Sequence, residues 1–384
     1  MQATGGKLSL FIFIDAFGWA VKERHPRFLS GLIRDSRPLE TILGYSSACD
    51  PSIISGLTPS EHGLWCSYYF DPENSPFKWT RALRFLPDAF FSRGRVRHHL
   101  SRWVGRACGF SGYFHLYAVP FEYLPLFNYA EQRRIWEPGG LPRGRTIFDE
   151  LAERGIPYHV HDSHLPDDRR LDRLETDLME HRVEFAYCSL GKLDALMHAE
   201  GIDTPQVGHL LEEYDRRIRR LLEIAEKNYD EVAWYVITDH GMHNVTETYD
   251  LAADIQDLGL VWQRDYIAFY DATIARIWIL NEEARATIVR CLSNHPKGRI
   301  LSEAELKAFG VYFADGQYGD LIFLMHPGIQ IVPSFMGRQP VKGMHGYHPS
   351  DPDSLAAISS NKPIPHAIAR IQHIYRIMLD EAGV

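Results

Sequence analysis

The sequence predicts an α/β fold, a doubly wound and mostly parallel sheet flanked by helices, with cap segments inserted into it. Three observations carry this. Near-continuous apolar runs of strand length alternate with amphipathic stretches of helix length. Hydrophobic residues make up 45% of the 384, enough for a large buried core. Finally, three of the apolar runs end in an aspartate, and an open sheet of this kind binds ligands beyond the carboxyl ends of its strands.

In chain order, Leu8 to Ile14 opens the fold as a buried strand. The surrounding LSLFIFIDAFGWAV has the apolar look of a secretion signal, but Asp15 interrupts it and no small-residue cleavage site follows. Thr146 to Arg154 then reads as a helix, Pro157 to Val160 and Val183 to Leu190 as strands, Pro205 to Lys227 as a long amphipathic helix, and Val232 to Thr238 as a strand. These fall in segments 1–65, 146–250 and 319–384, which are expected to form the core. Residues 66–145 break the rhythm: they hold 12 Lys/Arg against 6 Asp/Glu and 18 of the 47 aromatic residues, and read as an inserted cap. The segment 251–318 combines strand-like DYIAFYDATIARIWIL with helix-like NEEARATIVRCL and SEAELKAFG, and is expected to be a small α+β subdomain.

The formal charge of -9 argues against a nucleic-acid polymer as partner. Cysteines 49, 66, 108, 188 and 291 form no C-x-x-C pair, so neither a disulfide framework nor a thiolate zinc site is expected. No run reaches the ~18 apolar residues of a membrane-spanning helix. A cytoplasmic location is the expectation.

The residues with chemistry follow the strands: Asp15 after LFIFI, Asp194 shortly after FAYCSL, and Asp239 with His240 after AWYVIT. A single strand-end aspartate is ordinarily a helix cap or turn former. Three at equivalent ends form a constellation. His198 stands four residues after Asp194, on the same face if the segment is helical. His345 sits in GMHGYHP, where glycines let the backbone turn sharply. Aspartate and neutral imidazole together are the ligand set of zinc and related metals. Lone histidines such as His62 and His348 read instead as surface residues or loop anchors. Ser46 and Ser47 precede a predicted helix from Ser52 to Gly56, where N–H groups favour a phosphate; an ordinary N-cap serine explains them equally well.

As a set, IDAFG, SIISGLTPSEHG, the D-x-x-x-H of Asp194 and His198, TDHGMH and GMHGYHP resemble the alkaline phosphatase superfamily, in particular its nucleotide pyrophosphatase and phosphodiesterase branch. The resemblance covers about two-thirds of the chain and omits 66–145. It implies an alkaline phosphatase-like core and a phosphoester hydrolase with two divalent ions, zinc first and manganese as the alternative. One ion would be held by Asp194, His198 and His345, the other by Asp15, Asp239 and His240. Ser46, seven residues before Ile53, is the implied nucleophile, attacking phosphorus in line to give a phosphoserine that water then hydrolyses. Two departures stand out. The branch has threonine where this chain has Ser46, and asparagine where it has Cys49, which leaves the phosphoryl-oxygen contact unassigned. Cys49-Asp50-Pro51-Ser52-Ile53 imitates the start of a sulfatase motif, but Ile53 replaces its arginine.

Cys49, Arg81 and Arg84 are the candidate substrate contacts. Arg81, Arg84, Arg93, Arg95 and Arg97 of the cap read as an anion-attracting mouth, with Trp79, Phe90 or Phe91 stacking on the organic part of a nucleotide or sugar-phosphate. The same segment also reads as a membrane-surface element suited to a lipid-linked phosphate, or as a solvated subdomain with its own small core. A phosphomonoesterase or phosphotransferase using the same residues, and a non-catalytic metal-binding recognition protein, are the rival functions.

Overall fold

The structure, a computed structural model, describes residues 6–83 and 94–384. The strands that matter below are β1 (Lys7–Ile14), β2 (Asp35–Leu39), β3 (Tyr158–Val160), β4 (Phe185–Leu190), β5 (Glu231–Ile237), β6 (Tyr266–Tyr270), β7 (Ile274–Ile279), β8 (Gly298–Ile300), β9 (Leu321–Met325) and β10 (Ala356–Ser360). The main sheet has six strands in the order β2-β10-β5-β1-β4-β3. β1 is central and pairs in parallel with both β4 and β5, and β3 pairs in parallel with β4. β10 runs antiparallel between β5 and β2. The mixed, mostly parallel sheet expected from the apolar runs is therefore present.

The central strands are buried on both faces, which is why their sequences do not alternate. One face carries Phe11, Phe13, Tyr187 and Tyr235 and packs under α1 (Ser46–Ser55) and α3 (Ile147–Arg154). The other carries Leu10, Ile12, Ala186 and Trp234 and packs under α4 (Asp167–Met179) and α6 (Pro205–Asn228), with α5 (Lys192–Glu200) beside them. In α6 the residues Val207, Leu210, Leu211, Tyr214, Ile218, Leu221, Leu222 and Ala225 form the buried stripe that the helical period requires.

Within the predicted 251–318 segment, β6 and β7 form an antiparallel pair, and β7-β9-β8 extend it to a four-stranded sheet. Leu321–Met325 completes this sheet from beyond the end that the sequence suggested. The cap contains α2 (Gly94–Ala107). Its apolar side chains do not close on themselves: Tyr68, Phe77, Phe127 and Tyr129 share a cluster with Ile267, Phe269 and Trp278 of β6 and β7. Arg276 of β7 lies fully buried at this seam, held by Asp271 at 2.7 Å and by the Tyr68 carbonyl at 2.6 Å.

The predicted helix Ser52–Gly56 begins earlier, at Ser46. Pro51 marks a break in a sequence reading because its ring has no N–H to continue the ladder. Here Ser52 Oγ donates to the Ala48 carbonyl at 3.0 Å and Ser55 Oγ to the Pro51 carbonyl at 2.6 Å, and Gly56 closes the helix at φ 73°.

Candidate active site

Strand register brings the first two carboxylates together. Phe13 pairs with Ile237, so Asp15 and Asp239, each two residues further on, emerge side by side from the carboxyl ends of β1 and β5. The chain then turns sharply: Ala16 adopts φ 62°, a strained value for alanine, and its N–H donates to Asp239 Oδ1 at 3.3 Å. On the far side of β1, α5 begins just beyond β4 and presents Asp194 and His198 on one face, with His198 Nε2 3.3 Å from Asp194 Oδ1. His345 arrives on a late loop, its Nε2 3.7 Å from Asp194 Oδ1. Gly343 and Gly346 allow that approach: a Cβ on the first would lie 2.5 Å from the Met197 carbonyl, and the second has φ +88°.

Two groups able to hold a cation result, Asp194–His198–His345 and Asp15–Asp194–His240, so the Asp194 carboxylate belongs to both. His240 Nε2 lies 3.0 Å from Asp239 Oδ2 and 3.7 Å from Asp15 Oδ1. The His240 and His345 rings stack with centroids 3.7 Å apart. Outer contacts fix the tautomers. His198 Nδ1 donates to the Gly343 carbonyl at 2.7 Å, and His240 Nδ1 to the Gly241 carbonyl at 2.9 Å. Both Nε2 atoms therefore point into the site, the arrangement that orients imidazole ligands.

Three buried carboxylates and three imidazoles crowd one another here and shift one another's titration. Burial, and then the neighbouring Asp239, Asp194 and Asp50, push the Asp15 carboxyl well above the usual range. Burial also raises Asp239, but the His240 charge and hydrogen bond outweigh it and hold that carboxyl low. Burial opposes charge on His240 and His198, whose values nevertheless rise because Asp239 and Asp194 respectively stand beside them. His345 is driven well below its ordinary value by burial and by the His240 and His198 charges. Asp15 Oδ1, Asp194 Oδ1 and His345 Nδ1 are buried without a hydrogen-bond partner. Such atoms are costly to leave unpaired, and divalent cations fit this donor set.

Ser46 stands in the first turn of α1, with Oγ 3.1 Å from His240 Nε2. Ser47 is engaged elsewhere, donating to the Trp65 carbonyl at 3.0 Å. All six Asp/His positions and Ser46 thus converge on one place.

The candidate substrate contacts do not join them. Cys49 is fully buried, with Sγ 3.6 Å from Thr41 Oγ1, and burial pushes its thiol well up. Asp50, four residues after Ser46, stands instead beside the site carboxylates Asp15 and Asp239. Asp50 is raised by burial and then by Asp239 and Glu131, and its Oδ1 has no hydrogen-bond partner. Glu131, pushed up to about 8 by burial, accepts the Tyr113 N–H at 2.9 Å. The i, i+4 spacing from Ser46 could have revealed Asp50; nothing in the sequence marks Glu131. Arg81 is exposed in the short helix Lys78–Leu83, with no ion pair to an acidic residue among the described residues. Arg97 is buried and donates to the carbonyls of Tyr117 at 2.5 Å and Leu116 at 3.3 Å, so it braces the cap rather than facing a mouth. Arg84, Arg93, Phe90, Phe91 and the Arg95 side chain lie outside the described residues.

A parallel sheet with Asp/His groups at its strand ends and a hydroxyl on the following helix is the plan of the alkaline phosphatase superfamily of phosphoric ester hydrolases. The profile of the family type I phosphodiesterase / nucleotide pyrophosphatase matches residues 10–348, and the chain belongs to that family. No curated protein sequence matches the chain significantly. Among solved structures it is similar to human ectonucleotide pyrophosphatase / phosphodiesterase 5, with TM-score 0.67 and 12% identity over 98% of this chain and 95% of that one. The murine counterpart gives 0.66 and 13% over 98% and 95%, and an inactive murine variant in complex with AMP gives 0.66 and 13% over 99% and 95%. At these identities the likeness concerns the fold. Enzymes of the family are metal-dependent and act on small phosphoesters such as nucleotides.

Proposed function

We propose that the chain is a phosphodiesterase or pyrophosphatase in which Ser46 attacks phosphorus in line and becomes transiently phosphorylated. The observation that carries this is the Ser46 hydroxyl at 3.1 Å from His240 Nε2, in a helix's first turn whose N–H groups favour an anion. Asp194, His198 and His345 would hold one divalent cation, and Asp15, Asp239 and His240 the other; zinc suits this donor set, with manganese the alternative. When bound, such ions lower the pKa of the hydroxyl and neutralise charge on the phosphoryl and leaving oxygens. The Gly241 and Gly343 carbonyls keep His240 and His198 turned inward. Ser46 forms a bond to phosphorus as the leaving oxygen departs; water then attacks the phosphoserine and frees Ser46. Two inversions give net retention at phosphorus.

The substrate class is a small phosphoester: a nucleotide, supported by the AMP held by the murine relative, or a sugar-phosphate or lipid-linked phosphate. A cytoplasmic location is part of this reading, supported by five cysteines that all stand unpaired. The test is Ser46→Ala. It should retain both metal equivalents while turnover of a chromogenic bis-ester falls by roughly three orders of magnitude or more. If Ser47→Ala abolishes turnover and Ser46→Ala does not, the nucleophile is misassigned. A strong preference for the mono-ester would move the assignment to a phosphomonoesterase.

A further inference from the structure

On a chain of net charge -9, one outward face of the cap is basic and aromatic. Helix α2 buries Arg97, Ser101 and Val104, spaced by four and then three residues, so its opposite side turns to solvent. That side carries His98, His99, Arg102, Trp103 and Arg106, all exposed. Trp103 is 56% exposed and meets Trp79, itself 37% exposed, edge to face with ring centroids 5.3 Å apart. Lys78 and Arg81 flank Trp79, also exposed. Lys78 donates to the Glu73 main-chain carbonyl, but neither it nor Arg81, Arg102 or Arg106 has a carboxylate partner among the described residues. Two indoles left in water amid four unneutralised cations are unusual on a protein surface.

We propose that this face docks on an anionic lipid bilayer. Indoles favour the headgroup level, and each basic residue near an anionic leaflet adds attraction. The outward side of a helix offers no groove for a nucleic-acid strand, whereas paired indoles amid cations suit contact at the headgroup level. The docking stands independently of which phosphoester is cleaved.

The test is flotation of the full-length protein with phosphatidylcholine vesicles, with and without phosphatidylglycerol. Binding should require phosphatidylglycerol and weaken with salt. Arg102→Gln/Arg106→Gln should lower the partition coefficient roughly thirtyfold while bis-ester turnover in solution stays unchanged. Brominated acyl chains should quench tryptophan fluorescence, and the quenching should be lost in Trp79→Phe/Trp103→Phe. Equal binding to neutral vesicles, undiminished binding by the double glutamine variant, or no vesicle binding by the wild type overturns the proposal. Competition by heparin at equal affinity would replace the lipid with a general polyanion.

Discussion

Replacing His62 with glutamine probes the support beneath the candidate nucleophile. His62 Nδ1 accepts the Leu64 N–H at 3.1 Å, and Nε2 lies 3.0 Å from Ser52 Oγ, whose own hydroxyl donates to the Ala48 carbonyl. The imidazole is therefore neutral with its proton on Nε2, and a second proton would displace the Leu64 contact. Burial, and then the Arg143 guanidinium, lower its value from 6.5 to about 3. Because the folded value is depressed, the contribution is full above about pH 6.5 and is lost as pH falls toward 3, where the unfolded chain binds a proton that the folded chain refuses. The difference corresponds to about 5 kcal/mol across the window, or about 1.4 kcal/mol per pH unit within it. Glutamine can offer an oxygen to Leu64 and an amide to Ser52 without titrating. Urea unfolding at a series of pH values should show the wild type losing stability faster than His62→Gln by that slope between about pH 4 and 6. Comparing the two proteins cancels the carboxylates that titrate in both. Parallel curves would refute the assignment of a buried neutral imidazole at this position.

Other consequences concern the site itself. Asp194→Asn should weaken both metal equivalents, because that carboxylate serves both groups, whereas His198→Ala should weaken one; titration with zinc followed by elemental analysis separates the two outcomes. Chelation should lower the melting temperature and zinc should restore it, with about 2.7 kcal/mol of stabilisation at a hundredfold excess over the dissociation constant; an unchanged melting temperature would count against a cation among Asp15, Asp194 and Asp239. Gly241→Ala should cost about 2–4 kcal/mol and disturb His240, since its Cβ would lie 2.0 Å from the Asp353 carbonyl; calorimetry reads the first effect and metal affinity the second.

The legible part of this protein was the part written in short-range pattern. The strand Leu8 to Ile14, the helix Pro205 to Lys227 and the carboxylates at strand ends follow from burial on two faces or one stripe, and local composition records both. The order of motifs from IDAFG to GMHGYHP likewise sufficed to indicate the family. Where local rules compete, the pattern misled. The helix expected from Ser52 starts at Ser46, so Ser46 lies inside its first turn. That shift turned Cys49 inward and Asp50 onto the face of Ser46.

The sequence by itself determined which residues have the chemistry: six Asp and His side chains, a serine and a basic, aromatic insertion. Only the tertiary structure decided how they combine, that Asp194 stands within reach of both His198 and His240, that Glu131 stands near Asp50, and that Arg97 braces the cap while Trp79 and Trp103 face water. The reason is physical. Backbone periodicity is set by neighbours three or four residues away, whereas a side chain's direction and charge state depend on strand register, loop closure and burial among residues hundreds of positions apart.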